Sequence, residues 1–172
     1  MRDEIEFTLC ALLIGGGATA TMDLWAVLLK RFGIQSLDLG LLGRRIGYFP
    51  TRQFTHDSIA EAVPVRGERV IGWCAHYAIG ITFAILLLSI WGLKWAHAPS
   101  LFPALFIGLI TVIAPFCIMQ PAMGAGIAAS NTPAPNIART KSILAHAVYG
   151  FGLYGSALLA ARVLVWANTG GG

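Results

Sequence analysis

Residues 70–91 read VIGWCAHYAIGITFAILLLSIW, an apolar stretch that contains no Asp, Glu, Lys or Arg. A helix needs about 20 mainly apolar residues to cross the hydrocarbon core of a bilayer. Three further stretches of similar length and composition lie at residues 7–29, 101–123 and 143–166. They lack the polar stripe that a helix of a water-soluble protein shows. The sequence therefore predicts an all-α fold, an integral membrane four-helix bundle.

The composition of the whole chain supports this prediction. Of the 172 residues, 56% are hydrophobic and 12% are charged, whereas about 25% are charged in a typical soluble domain. We expect a single transmembrane domain over residues 1–172. Cys10, Cys74 and Cys117 lie in apolar stretches, at spacings that match neither a disulfide framework nor a zinc site. They are expected to be small, buried hydrophobic side chains.

The distribution of basic residues predicts the topology. Nine of the twelve Lys and Arg residues lie between the first and second spans or between the third and fourth. Since cytoplasmic loops are enriched in basic residues, we expect both connections in the cytoplasm and both termini outside it. The prediction is a multi-pass membrane protein. We expect Arg44, Arg45 and Arg52 to contact the lipid bilayer at its headgroups, and we expect no nucleic-acid partner.

The two cytoplasmic connections differ in character. In the first, Ser36 is expected to cap a short helix that runs to about Tyr48, with apolar and basic faces suited to the membrane interface. Ser58 and Glu61 then have the spacing of a capping box for a second short turn. The third connection, at residues 124–142, is rich in Gly, Ala and Pro. It is expected to be a re-entrant or flexible loop.

Four polar side chains occur where a spanning helix usually carries none: Asp23, His76, Gln120 and His146. Each lies in the half of its span that faces the cytoplasm. Asp23 and His76 are both about 9 Å inside the predicted boundary, at 1.5 Å per residue. Because a polar group facing lipid is costly, we expect all four to face the bundle interior and converge. Helical spacing places Tyr149 on the face of His146.

These residues admit several functions. They could bind a small ligand or relay protons, with Asp23 orienting a histidine and Gln120 donating a hydrogen bond. Alternatively, His76 and His146 could hold a metal ion or a haem, although no cofactor is favoured. Both hypotheses predict that the two histidines face each other. A structural subunit would instead pair each polar side chain with its nearest neighbour and leave no cavity. The sequence is also compatible with a homo-oligomer.

An enzyme is less favoured, since the sequence contains no recognisable catalytic motif. The first cytoplasmic connection does carry His56, Asp57, Arg66 and Glu68, which could form a lid over the inner mouth of the bundle. Such a lid would bring acid and base groups beside the cleft. Asp57 is also a natural capping residue for a helix start, which is the simpler interpretation of that segment.

Several segments resemble a bacterial family of unknown function, numbered 2938, over roughly residues 18–158. The segments that carry the resemblance are MDLW at 22–25, HDSI at 56–59, VRGE at 65–68, AHY at 75–77, MQPAMGAGIAAS at 119–130 and AHAVYG at 145–150. The resemblance implies a small bacterial membrane protein with several spans and one domain. It implies no activity and no catalytic residue.

Overall fold

The computed structural model describes residues 2–34 and 38–169, with side chains described from residue 3 to residue 162 within these ranges. In this part of the chain the secondary structure is entirely helical. The five main helices are α1 (Arg2–Arg31), α2 (Leu39–Gly47), α3 (Glu68–His97), α4 (Leu101–Ile110) and α5 (Pro135–Thr169). Four helical segments are long and apolar enough to cross a membrane, at Asp3–Arg31, Glu68–His97, Leu101–Ala122 and Pro135–Arg162. The predicted all-α fold with four long apolar helices is confirmed.

Two helices extend beyond their predicted spans. α3 continues to His97, past residue 91 where the apolar stretch ends, and its residue Gly92 is non-helical (φ 72°, ψ 175°). α5 begins at Pro135 rather than near residue 143. Pro is well suited to a first helical turn because its missing N–H has no helical partner there. The helix therefore extends through polar residues that hydropathy assigns to the loop.

The third apolar stretch is not one regular helix. α4 ends at Ile110, residues Pro115–Met119 form a π-helical segment, and Gln120–Ala122 form a final helical turn. Pro115 has no N–H to donate to the carbonyl of Thr111, and this carbonyl accepts the N–H of Ala114 at 3.1 Å instead. Proline thus causes the break in the third apolar stretch.

Glycines allow the long helices to approach closely. α1 packs against α3 and α5, and α4 packs against α5. A Cβ on Gly15 would lie 2.6 Å from Cα of Ile81, and one on Gly108 would lie 2.6 Å from Cα of Gly150. Small residues at such crossings are typical of helix packing in membranes. These contacts set the distance at which polar side chains on neighbouring helices meet.

The short helix α2 crosses the start of α3. A Cβ on Gly43 would lie 1.7 Å from the carbonyl oxygen of Glu68, so the two backbones are in direct contact. Asp38 caps α2, its Oδ1 accepting the N–H of Gly40 at 2.8 Å. The predicted cap, Ser36, lies outside the described residues. Residues 58–61 form the short turn that the sequence predicts, with the N–H of Glu61 donating to the carbonyl of Ser58.

The cysteines do not share one environment. Cys10 is buried, as predicted, whereas Cys74 and Cys117 are exposed on the outer surface of the bundle. The prediction of burial is wrong for these two. An apolar stretch has both a core face and an outer face, and hydropathy alone does not distinguish them.

Candidate functional site

Asp23 on α1 has both carboxylate oxygens engaged by neighbouring side chains of α3. Oδ1 lies 3.1 Å from Nε2 of His76, and Oδ2 accepts the hydroxyl of Tyr77 at 2.9 Å. The side chains of Asp23 and His76 are 21% and 17% exposed. The structure therefore joins two of the predicted site residues and adds a phenol to them. We call these three residues the Asp23 group.

The level of the Asp23 group follows from the antiparallel packing of α1 and α3. Asp23 lies eight residues before the end of α1 at Arg31, and His76 lies eight residues after the start of α3 at Glu68. At 1.5 Å per residue, both are about 12 Å from the ends of their helices. The close contact between Gly15 and Gly80 farther along the same helices brings the two side chains within reach.

Aromatic rings surround the α3 side of the Asp23 group. The indole of Trp73 stacks on the ring of Tyr77 with centroids 6.1 Å apart, and it meets the imidazole of His76 edge-on at 6.4 Å. Such contacts hold both rings in one orientation. A fixed imidazole and a fixed phenol beside one carboxylate can share a proton among three titratable groups.

His146 on α5 belongs to a different set of contacts. Its side chain is buried, and its Nδ1 lies 3.1 Å from the carbonyl oxygen of Gly108 and 3.1 Å from the hydroxyl of Thr111. Because a carbonyl can only accept, Nδ1 carries the proton and donates it. The ring is thereby tied to α4.

The structure keeps His76 and His146 apart. The ring of His146 has Phe83 as a neighbour, with centroids 6.5 Å apart. Phe83 is seven residues after His76 on α3, a separation of about 10 Å along the helix. Among the described residues, no three His, Cys, Asp or Glu side chains form a group that could hold a metal ion. The geometry thus offers no shared ligand set for these two histidines, and the expectation that they face each other is not met.

Gln120 and Tyr149 also connect helices. Nε2 of Gln120 donates to the hydroxyl of Ser142 on α5 at 3.3 Å. The hydroxyl of Tyr149, which is buried, donates to the carbonyl of Gly80 on α3 at 2.5 Å. Oε1 of Gln120 is buried and has no hydrogen-bond partner among the residues that the structure describes. Neither side chain contacts the Asp23 group through a hydrogen bond.

The residues of the predicted lid are distributed over two places. His56 and Asp57 lie against the end of the third apolar segment, where the backbone N–H of His56 donates to the carbonyl of Ala122 at 2.9 Å. Glu68 instead lies at the start of α3, bonded to Arg44, and Arg66 is exposed. The structure therefore places two of the four residues, His56 and Asp57, against the end of the third apolar segment.

Arg44 is a residue whose structural role the sequence did not indicate. Its guanidinium binds both carboxylate oxygens of Glu68, at 2.8 and 3.0 Å. It also donates to the carbonyls of Ile59, Ala60 and Ala62. The hydrogen bond with Glu68 raises the pKa of Arg44, so the guanidinium stays charged. Arg44 therefore ties the first connection together, and its expected contact with lipid headgroups stays a prediction.

Tyr77 and Thr111 were also missed, although both carry groups that can reach a neighbouring helix. Tyr77 directly follows His76, and adjacent positions on a helix point about 100° apart, so helical spacing gave no reason to join them. Thr111 lies in the third apolar stretch, four residues before Pro115. The signal available in the sequence was a threonine hydroxyl close to a proline that interrupts the regular helix.

One family model matches the chain over residues 12–160, and its description is "Protein of unknown function (DUF2938)". The matched segment includes Asp23, His76 and His146. No curated protein and no solved structure matches the chain. The comparison therefore identifies a family and assigns no activity.

Proposed function

This chain belongs to the DUF2938 family, and we propose that it is a multi-pass protein of the bacterial inner membrane that binds and releases a proton at the Asp23 group. The observation that carries the proposal is the arrangement of Asp23 between His76 and Tyr77. The proposal adds a membrane location and a proton-binding chemistry to the family membership.

Membrane insertion is supported by the outer surface of the bundle. Four segments have the length and apolar character to cross a bilayer. Large apolar side chains cover their outer faces, and more than half of the surface is exposed for Leu13, Leu24, Ile90, Phe102 and Leu159. Exposed apolar surface of this extent is unfavourable in water and favourable in lipid.

The proposed topology places both termini outside the cytoplasm. Nine of the twelve basic residues lie between residues 30 and 69 or at residues 139 and 141, in the two connections and the helix ends beside them. The connection between α3 and α4, residues 98–100, carries no basic residue. This asymmetry follows the positive-inside rule. The Asp23 group then lies in the cytoplasmic half of the bilayer.

Proton binding is the chemistry best supported by the contacts of Asp23. Inside hydrocarbon, a carboxylate and an imidazolium attract strongly, but their desolvation is costly. Because the carboxylate and the imidazole lie within hydrogen-bond distance, a proton can pass between them. Both side chains are partly exposed. Intramembrane Asp and His residues are common in proton relays.

A structural role is the second candidate, and it is supported for the other polar residues. His146, Gln120 and Tyr149 each bond to the backbone or a side chain of a neighbouring helix. Hydrogen bonds of this kind stabilise helix packing by roughly 0.6 to 2 kcal/mol each. We therefore propose that these three residues hold the bundle together while the Asp23 group exchanges protons.

The experiment measures proton binding and movement in the intact protein. Infrared difference spectra between about pH 5 and pH 8 report protonation of a carboxyl group and an imidazole. In liposomes with an internal pH-sensitive dye, a potassium diffusion potential drives proton entry. We expect a carboxyl band and a proton flux in the unchanged protein, and the loss of both in Asp23→Asn. His76→Gln should reduce the flux.

The matched control is His97→Gln. His97 also pairs with a carboxylate, Glu6 at 2.5 Å, but at the opposite end of α1 and α3, where its side chain is 51% exposed. We expect this variant to retain the flux. A carboxyl band that persists in Asp23→Asn, or an unchanged protein that neither titrates nor conducts, would contradict the proposal. Asp23 would then have the same structural role as His146, Gln120 and Tyr149, which is to hold neighbouring helices together.

A further inference from the structure

An open pocket of about 630 Å³ lies between the first and third connections, apart from the Asp23 group. Its polar walls include Gln53, Thr55, His56 and Asp57 from the first connection, and Gly124 and Asn131 from the third. Pockets with a few convergent polar groups are the usual form of a small-molecule site. Neither the proton-binding proposal nor the family assignment accounts for it.

The walls of this pocket are fixed by backbone contacts between the two connections. The N–H of His56 donates to the carbonyl of Ala122 at 2.9 Å, and that of Ile59 donates to the carbonyl of Met123 at 3.2 Å. Gly124 has a positive φ of 88°, and a Cβ there would lie 1.9 Å from the carbonyl oxygen of Asp57. Only glycine fits this contact without a shift of the backbone. The fold therefore holds the two walls of the pocket in fixed positions.

The imidazole of His56 lacks hydrogen bonds in this environment. Both ring nitrogens are buried, and neither has a partner among the described residues. The ring packs edge-on against Tyr48, with centroids 4.9 Å apart, which fixes its position. Buried polar groups in native proteins nearly always have a partner, supplied by the protein, by water or by a ligand. A bound group with hydrogen-bonding capacity would satisfy His56.

The charge of the pocket is opposite to that of its surroundings. Asp57 is the one Asp, Glu, Lys or Arg among the described lining residues, and its carboxylate has no ion pair with a described residue. Two basic side chains of the same connections have partners of their own, Arg44 with Glu68 and Arg139 with the carbonyl of Ala128. An unpaired carboxylate in a pocket whose described lining contains no Lys or Arg attracts positive charge.

From these observations we propose that the pocket binds the ammonium group of a primary amine. Asp57 supplies the counter-charge, and a ring nitrogen of His56 accepts a hydrogen bond from the ammonium group once the bound amine displaces the atoms that cover it. The side-chain carbonyls of Gln53 and Asn131 can accept the remaining N–H groups. Charge-assisted hydrogen bonds of this type are stronger than neutral ones, so the pocket selects an amine over an alcohol of equal size.

Two sources could supply this chemistry, a free cytoplasmic amine and the headgroup of phosphatidylethanolamine. The first arm measures binding of ethanolamine to the full-length protein in detergent by calorimetry, against ethylene glycol, which replaces the ammonium group with a hydroxyl. The second arm compares melting temperatures in nanodiscs of phosphatidylethanolamine and of phosphatidylglycerol. Binding in the first arm identifies a free amine, and stabilisation in the second arm alone identifies the lipid headgroup.

Asp57→Asn tests the counter-charge, and we expect this variant to fold because the side chain is exposed. We expect it to weaken amine binding by at least about tenfold. Glu61→Gln is the matched control, because it removes an exposed carboxylate from the same connection outside the pocket lining. Equal binding of ethylene glycol, equal effects of the two variants, or no response to either amine source would overturn the proposal.

Discussion

At the scale of single residues, Tyr77 offers a direct test of the Asp23 group. Replacing it with Phe removes one of the two hydrogen bonds to the Asp23 carboxylate and leaves the aromatic stack intact. We expect Tyr77→Phe to lower the free energy of unfolding by about 1 kcal/mol, since the carboxylate loses a partner. Denaturation in mild detergent measures this change. Tyr154→Phe serves as the control, because the Tyr154 hydroxyl has no hydrogen bond with a described residue.

Arg44 shows how one guanidinium can organise a loop. Arg44→Lys keeps the charge but not the planar fork that binds Glu68 at two oxygens and reaches three carbonyls. We expect proteolysis between residues 52 and 66 to become about fivefold faster, because local opening of the connection becomes easier. Arg45→Lys is the comparison, since Arg45 makes one longer hydrogen bond, at 3.4 Å, to Phe54. Equal cleavage rates in the two variants would argue against the role of Arg44.

At the scale of helices, the glycine contacts predict which substitutions disturb packing. Gly108→Ala places a methyl group 2.6 Å from backbone atoms of α5, and neither helix can yield without moving. We expect a loss of about 1–3 kcal/mol in the free energy of unfolding. Gly16→Ala should be neutral or stabilising by up to about 1 kcal/mol, since no neighbouring helix lies within 4 Å of the added methyl and alanine favours a helix. Thermal unfolding of both variants in detergent measures the difference.

Hydropathy predicted the existence of four long apolar helices, because every spanning segment must be apolar over most of its length. The positions of the helix ends were harder to predict from hydropathy. α5 starts at Pro135 because helix formation continues through polar residues when a good first-turn residue precedes them. The π-helical segment at Pro115–Met119 depends on how the freed backbone groups find new partners, and a proline alone does not specify this.

The grouping of the candidate site was harder to predict than its individual residues. Counting residues from the helix ends predicts Asp23 and His76 at one level, and in the structure the two side chains approach to 3.1 Å. Which helices are neighbours is a property of tertiary packing, and no pattern in the sequence pairs His76 with α1 or His146 with α4. The partners of His146 are a backbone carbonyl and a threonine hydroxyl, and neither stands out in an apolar stretch.

At the scale of the whole molecule, the proposed topology predicts which loops are accessible from each side. In a background without native cysteines, Ala98→Cys places a thiol in the short connection between α3 and α4, and Gln53→Cys places one in the first connection. We expect a membrane-impermeant maleimide to label intact inner-membrane spheroplasts at position 98 and to label position 53 only after lysis. The reverse pattern would invert the topology.

The broken third helix has a mechanical consequence. α1 and α5 run for 30 and 35 residues, and α3 departs from helical geometry at Gly92 near its end, whereas α4 stops at Ile110 and regular structure resumes beyond the π-helical segment. Bending is easiest where a helix has lost its regular hydrogen bonds. The turn beyond the π-helical segment also holds the first connection through the carbonyls of Ala122 and Met123. We therefore expect the molecule to bend at this break, and bending there would move the walls of the proposed amine pocket while the Asp23 group on α1 and α3 stays intact.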